Sequence, residues 1–361
     1  MIALTFPIYL QEPLLATTVA GDPNSSVSLP FIPGSLLRGA LVAQYLREHP
    51  DADIATAPEL RALFMNGKTR YLNAYPLDAR GRATLPTPAA WHCNKDEESP
   101  VYDLSAESRD DEDWQPQAVK SPFCQLKGNE VTFYTPNRQM NVHTQRDRVM
   151  GRATEDSGAV FRYEALAAGQ SFGGVVLCDS EETAQTLESL FKAALFLGGS
   201  HNAGYGRVEI GAVKRADSWQ EVPLKPTNLP SKGKLVITLL SDALLRDANG
   251  QYLPFLTAEW LGARLGVTLT LEQEHTFAKS SIIGGFNRKW GMPLPQTQAA
   301  RAGSVYTFTT KSDIPAKRLA ELIAEGIGER RVEGFGRLTI NWHTEYDELK
   351  PQDPLEPVKQ K

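Results

Sequence analysis

Cysteine is scarce in this chain: Cys93, Cys124 and Cys178 are its only three in 361 residues, and none stands in a CxxC pair. An odd, unpaired set excludes a disulfide framework and fits a reducing compartment, so a cytoplasmic location is expected. It also leaves zinc short of ligands. His92, Cys93 and Cys124 make a partial grouping without the second closely spaced pair that structural zinc uses. No metal and no other cofactor is expected. No apolar run reaches the length of a membrane span. The opening MIALTFPIYLQEP lacks a basic start and is broken by proline, glutamine and glutamate, so no secretory leader is expected. GxxxxGK[ST] is also absent, which excludes the phosphate loop of nucleotide hydrolases.

What is present suits two globular domains. Hydrophobic residues make up 41%, enough for real cores, while 24 prolines point to many surface loops. The net charge of −5 argues against a polyanion partner for the chain as a whole. That charge is concentrated, however. Residues 95–113 (KDEESPVYDLSAESRDDED) carry nine acids and two bases, a local −7, which leaves the rest at +2. Any nucleic-acid surface must then be a local basic face.

Alternation predicts a strand over residues 1–10. A helix is expected from Ser35, read as its N-cap, with Leu36, Leu37, Ala40, Leu41 and Tyr45 at helical spacing. Residues 69–77 read as a strand. The proline-rich, acidic stretch 85–123 reads as a long surface insertion. Strand character returns at 130–134. A polar arm, 137–166, ends in a strand, and 170–178 is another. Residues 180–197 read as a helix and 205–213 as a strand. Residues 217–233, with three prolines, read as a linker. The pattern then restarts: strand 234–240, helix 257–265, an extended stretch 267–278, strand 304–310, helix 314–327 and strand 335–342. The tail after 344 is expected to fray. The resulting fold class is α+β, two tandem βαββαβ domains over 1–216 and 234–344, the first carrying the insertion.

Both halves close alike. LGGSHNAGYGRVEI (197–210) follows the first late helix, and GIGERRVEGFGRLTI (326–340) follows the second, each with four glycines and a Gly-aromatic-Gly-Arg ending. One glycine can cap a helix and one can mark a turn. Four, twice over, point to close approach of bare backbone to a ligand. The loops follow a helix, whereas nucleotide cradles precede one. Single-stranded RNA fits: amides and arginines for phosphates, aromatics for splayed bases. For Tyr205 and Phe335, core packing is favoured over stacking.

With these motifs the sequence resembles the CRISPR-associated RAMP superfamily. FIPGSLLRGAL is similar to its first-helix motif, and RDRVMGRATEDSGAVFRYEALAAGQSFGG to its central arm and strand. GGFNRKWGMPLPQ, with the second glycine segment, is most similar to the Csx-type, handle-capping RAMP subunit of type III-D effector complexes. The resemblance implies tandem ferredoxin-like (RRM-like) domains and a non-catalytic subunit. It would cap the 5′ handle of CRISPR RNA and join the large polymerase-like subunit to the backbone RAMP subunits. It also implies that Ser35 caps the first helix and Arg38 faces RNA.

The expected RNA contacts fall in three groups. The arm 137–152 supplies Arg138, Gln139, Asn141, His143, Arg146, Arg148 and Arg152, four arginines against one acid, with amides able to read base edges. The first glycine segment supplies Gly198, Gly199, Ser200, His201, Asn202, Tyr205 and Arg207. The second half supplies Arg288, Lys289, Trp290, Arg330, Arg331 and Arg337. No catalytic set is evident. A processing endoribonuclease would use His201 or His143 as general acid/base, and a backbone RAMP subunit would cut target RNA through an acid; both stay open.

Overall fold

The computed structural model describes residues 1–17, 25–105, 107–109, 112–144, 160–287 and 291–354. The chain forms two compact units. The first comprises Met1–Leu77, Pro136–Asp217 and Gly284–Gln296; the second comprises Asp78–Thr135, Ser218–Ile283 and Thr297–Lys361.

In the first unit, strand Ile2–Leu10 is central. Its burial alternates, because successive side chains leave opposite faces of a sheet. It pairs antiparallel with Ser171–Cys178, from Ile2 opposite Cys178 to Tyr9 opposite Ser171. Arg207–Ile210 pairs on its other side, and Arg70–Tyr71 pairs with Ser171–Cys178. Taken in chain order, the four strands lie fourth, first, third, second across the sheet. Helix Gly34–Glu48 buries Leu37 and Leu41, and helix Glu181–Leu190 buries Ala184, Leu187 and Leu190.

Two local expectations are corrected here. Ser35 is not the N-cap; the helix begins at Gly34 after Pro33, and the Gly34 N–H donates to Asn73 Oδ1 at 3.1 Å. An acceptor from elsewhere in the unit does the capping. The second helix stops at Leu190, not 197, and Ala194–Phe196 becomes an edge strand on Arg207–Ile210. Burial of Leu195 and Leu197 with Phe196 exposed is a strand period, not a helical one.

The second unit repeats the plan. Leu269–Leu271, Val305–Thr310, Lys234–Leu239 and Leu338–Ile340 lie side by side, all antiparallel, again second, third, first, fourth. Helices Ala258–Leu265 and Ala316–Glu325 cover the core of Leu235, Ile237, Phe308, Leu319 and Leu338. The repetition extends to single hydrogen bonds. Leu10 and Leu239 each end the first strand, their N–H groups donating to Gln170 O and Ser304 O. Gly169 and Gly303, both at positive φ, donate back to them. Each unit also inserts a hairpin before its third strand, Arg138–Thr144 with Val160–Leu166 and Ser280–Ile283 with Thr297–Ala300.

The second unit also holds a seven-stranded sheet, four of whose strands come from residues read as a surface insertion. Leu85–Pro86, Phe123–Lys127, Glu130–Tyr134, Glu348–Gln352, Val101–Asp103, Trp91–Asn94 and Pro116–Ala118 are its members in order. Trp91, Val101, Cys124, Val131 and Leu349 form its core. Residues 348–352, read as fraying tail, are a paired strand, because Leu349 supplies core that local composition conceals. Residues read as linker are packed too: Val222 is buried and Leu229 bridges Ile314.

Candidate nucleic-acid interface

The first glycine segment begins where Leu197 donates its N–H to Gly206 O at 2.8 Å, closing a loop. Gly206 donates to Pro13 O, and Arg207 O accepts from Gln11 and Glu12, so the loop is stitched to the end of the first strand. Gly206 has φ +88, and a Cβ there would sit 2.2 Å from Leu197 O. Gly198 has φ +77, and its Cβ would sit 2.4 Å from Leu15 O. The protein's own backbone is enough to require glycine at these two positions. Gly199 and Gly204 face open space. Between them Ser200 adopts the left-handed region and His201–Ala203 forms a single 3-10 turn, with His201 and Asn202 exposed. Arg207 is exposed, and no carboxylate pairs with its side chain among the described residues.

Under this loop lies the hairpin Arg138–Thr144/Val160–Leu166. Its register sets Gln139, Asn141 and His143 on one face with Phe161, Tyr163 and Ala165. Asn141 Nδ2 donates to the Tyr205 hydroxyl at 2.8 Å, and His143 Nε2 lies 2.8 Å from the same oxygen. The His143 ring stacks on Phe161 (5.4 Å) and tilts against Tyr163 (4.8 Å). Ser200 Oγ reaches the Tyr163 hydroxyl at 3.4 Å. Tyr205 is 2% exposed. It is therefore a buried post joining hairpin to loop, as the favoured reading of core packing expected, and its ring is closed to the base stacking that would have made it an RNA contact. Asn141 and His143 are half-buried and turned toward it. The hairpin's other face shows Met140, Val142 and Arg162 to solvent. Arg138, on that face, is paired with Glu164.

The remaining expected contacts divide. Ser35 and Arg38 are half-buried on the first helix, and Arg38 Nη1 donates to Phe64 O at 3.4 Å. Arg146, Arg148, Arg152, Arg288, Lys289 and Trp290 lie outside the described residues.

The second loop is the first one over again. Ile327 donates to Gly336 O, Gly336 to Asp242 O, and Arg330 takes the left-handed place of Ser200 before the turn Arg331–Glu333. Gly328 and Gly336 crowd Leu244 O and Ile327 O as Gly198 and Gly206 crowd their carbonyls. The side chains differ. Arg337, equivalent to Arg207, is 4% exposed and bonded to both Glu221 oxygens (2.6 and 2.8 Å) and to Ile323 O. It is corrected from an RNA contact to an internal ion pair. Arg330 Nε donates to Glu333 at 2.8 Å and its guanidinium lies over Phe335. A cleft of about 470 Å³ beside the loop is lined by Arg246, Trp260, Arg264, Glu325, Glu329 and Arg331, among others.

Sequence reasoning missed Phe161 and Tyr163, whose signal was alternation in VFRYEAL, and missed the glutamates of the second loop, whose signal was Glu329 and Glu333 inside GIGERRVEGFGR. Among the described residues no three His, Cys, Asp or Glu side chains group as a metal site, and no helix is long and apolar enough to cross a membrane.

A sequence model of the RAMP superfamily matches residues 13–209, from the loop after the first strand through the first glycine segment. The chain belongs to the RAMP superfamily. No curated protein matches it. Among solved structures, a chain of the type III-B Cmr-beta complex bound to cognate target RNA and AMPPnP is 12% identical, with 85% of this chain and 86% of that chain covered and a TM-score of 0.47. A RAMP protein binding different RNA substrates is 10% identical, with 94% and 99% covered and a TM-score of 0.40. Oligomeric Cmr4 from Pyrococcus furiosus is 13% identical, with 60% and 100% covered and a TM-score of 0.29. In this RAMP chain the matched residues include the first helix, the hairpin and the whole first glycine loop.

Proposed function

We propose that this RAMP protein is a non-catalytic RNA-binding subunit of a type III CRISPR effector complex, built on two tandem ferredoxin-like domains. Its ligand is CRISPR RNA, which it caps at the 5′ handle while joining the large polymerase-like subunit to the RAMP backbone of a cytoplasmic type III-D complex. The observation that carries the RNA reading is the first glycine loop. It offers uncrowded backbone at Gly199 and Gly204 (the Gly204 N–H itself donates to His201 O), exposed His201 and Asn202, and an exposed Arg207 whose side chain pairs with no carboxylate among the described residues. Such a surface receives a phosphodiester chain through N–H groups and one guanidinium. The handle-capping role rests on the motif resemblance, above all GGFNRKWGMPLPQ with the second glycine segment.

The non-catalytic reading is supported by His143, whose ring is stacked on Phe161 and bonded to Tyr205 in a packed layer. His201 is exposed against Phe196, with no carboxylate partner among the described residues to orient it. The test is co-purification with the neighbouring subunits followed by sequencing of bound RNA. Recovery of CRISPR RNA with this subunit at the handle end is expected, reduced by Arg207→Ala. Specific cleavage of repeat RNA by the isolated chain, lost in His201→Ala, would replace this reading with an endoribonuclease.

A further inference from the structure

We infer that the second glycine loop is a phosphate site held shut by its own carboxylates, so that of the two loops the first alone meets the phosphodiester chain. This rests on the reading of the first loop as the RNA contact.

The two loops share one backbone. Left-handed residues fall at 198, 200, 204 and 206 in the first and at 328, 330, 334 and 336 in the second. The same carbonyls close both. Any difference in what they bind therefore comes from side chains. Gly199 and Ala203 of the first loop are replaced by Glu329 and Glu333 in the second, and Ser200 and His201 by Arg330 and Arg331. The second loop thus has more cations, yet they are spoken for. Arg246 Nε donates to Glu329 at 2.7 Å, Arg264 pairs with Glu325, Arg330 with Glu333 and Arg337 with Glu221. Arg331 donates to Glu325 O at 3.2 Å.

A phosphate entering this cleft meets two carboxylates, Glu325 and Glu329, on its lining. It would have to displace a carboxylate from Arg246 and from Arg264, exchanging one charge-assisted bond for another while like charges approach, and a main-chain carbonyl from Arg331. At Arg207 the Glu12 carboxylate takes only the main-chain N–H, at 3.2 Å, and no carboxylate pairs with the guanidinium among the described residues. Both pairs on the cleft are half-exposed, at 41%/44% and 45%/48%, so removing their carboxylates costs the fold little. The Glu221 pair is buried at 4%/10% and holds the loop together instead.

The test is a gain of binding. The full chain, its Glu325→Gln/Glu329→Gln variant, Arg207→Ala and Arg331→Ala are titrated into labelled single-stranded oligouridylate by fluorescence anisotropy across a salt series. The double glutamine variant is expected to bind roughly tenfold tighter, with a salt slope steeper by about one to two, since each added phosphate contact contributes close to one. Arg207→Ala is expected to lose about one from the slope, and Arg331→Ala to match the parent. The inference is overturned if the double variant, melting like the parent, binds no tighter, or if Arg331→Ala weakens binding as much as Arg207→Ala. Failure of the parent itself to bind would sink the RNA reading and not the comparison of loops.

Discussion

Replacing Gly206 with alanine separates a glycine kept for the fold from one kept for a ligand. At φ +88 an L side chain is strained by about 1–2 kcal/mol. The added Cβ would also stand 2.2 Å from Leu197 O. That oxygen belongs to main chain held in place by the Leu197 N–H bond to Gly206 O, so the loop must open to make room. Such overpacking adds about 1–3 kcal/mol. The sum, roughly 2–5 kcal/mol, is a large share of the 5–15 kcal/mol that usually holds a domain. For a unit of this size each kcal/mol lowers the melting temperature by about 2–4 °C. Gly199→Ala is the control: its Cβ meets nothing within 4 Å and its φ is not positive, so it should melt within about 0.5 kcal/mol of the parent. Gly199→Leu should also fold but weaken RNA binding by covering the amides. Thermal unfolding followed by circular dichroism, with anisotropy on the same samples, reads both effects. A Gly206→Ala protein as stable as the parent, or a Gly199→Ala protein as damaged as Gly206→Ala, would refute the division.

Further expectations concern the buried polar groups. Arg337→Ala leaves Glu221 uncompensated and should cost about 3–5 kcal/mol in a urea melt; no loss would show that the pair contributes little. Burial alone would raise the Asp103 carboxyl, but the charge and hydrogen bond of His343, with the Ser105 hydroxyl and N–H, hold it below the usual range. The stability it confers is therefore full above the unfolded carboxyl value of about 3.9 and is lost as pH falls through the lower folded value. Asp103→Asn should be destabilised at neutral pH, with the gap to the parent closing in acid; a constant gap would argue against the pairing. Tyr205→Phe removes the oxygen shared by Asn141 and His143 and should cost about 1–3 kcal/mol, with weaker RNA binding if the hairpin supports the loop. Burial pushes the Cys178 thiol up to about 12 and Cys124 higher still, so maleimide near neutral pH should label Cys93 first; rapid loss of all three thiols would contradict it.

How far the residues alone carried can be judged from particular places. The strand at 130–134 and the helix at 257–265 stood out because apolar spacing reports local geometry directly. The helix at 180–197 was overrun because Leu195 and Leu197 fit either period until Arg207–Ile210 offered a sheet edge. Phe161 and Tyr163 were visible as alternation, but the packing of Tyr163 against Tyr205 was not, since Tyr205 lies 42 positions on in the sequence.

The sequence by itself determined the repeated closing loop, the restart of the pattern in the second half and the family, because left-handed positions crowded by a carbonyl demand glycine and amphipathic periods are local. Tertiary structure decided the rest. It drew six short strands between residues 85 and 134 and the strand Glu348–Gln352 into one sheet of the second unit, where Leu349 completes a core begun at Trp91. It decided that Arg207 lies open while Arg337 is sealed by Glu221, 116 residues away. Burial and charge pairing act between groups that are close in space, and no spacing along the chain reveals which carboxylate an arginine will meet.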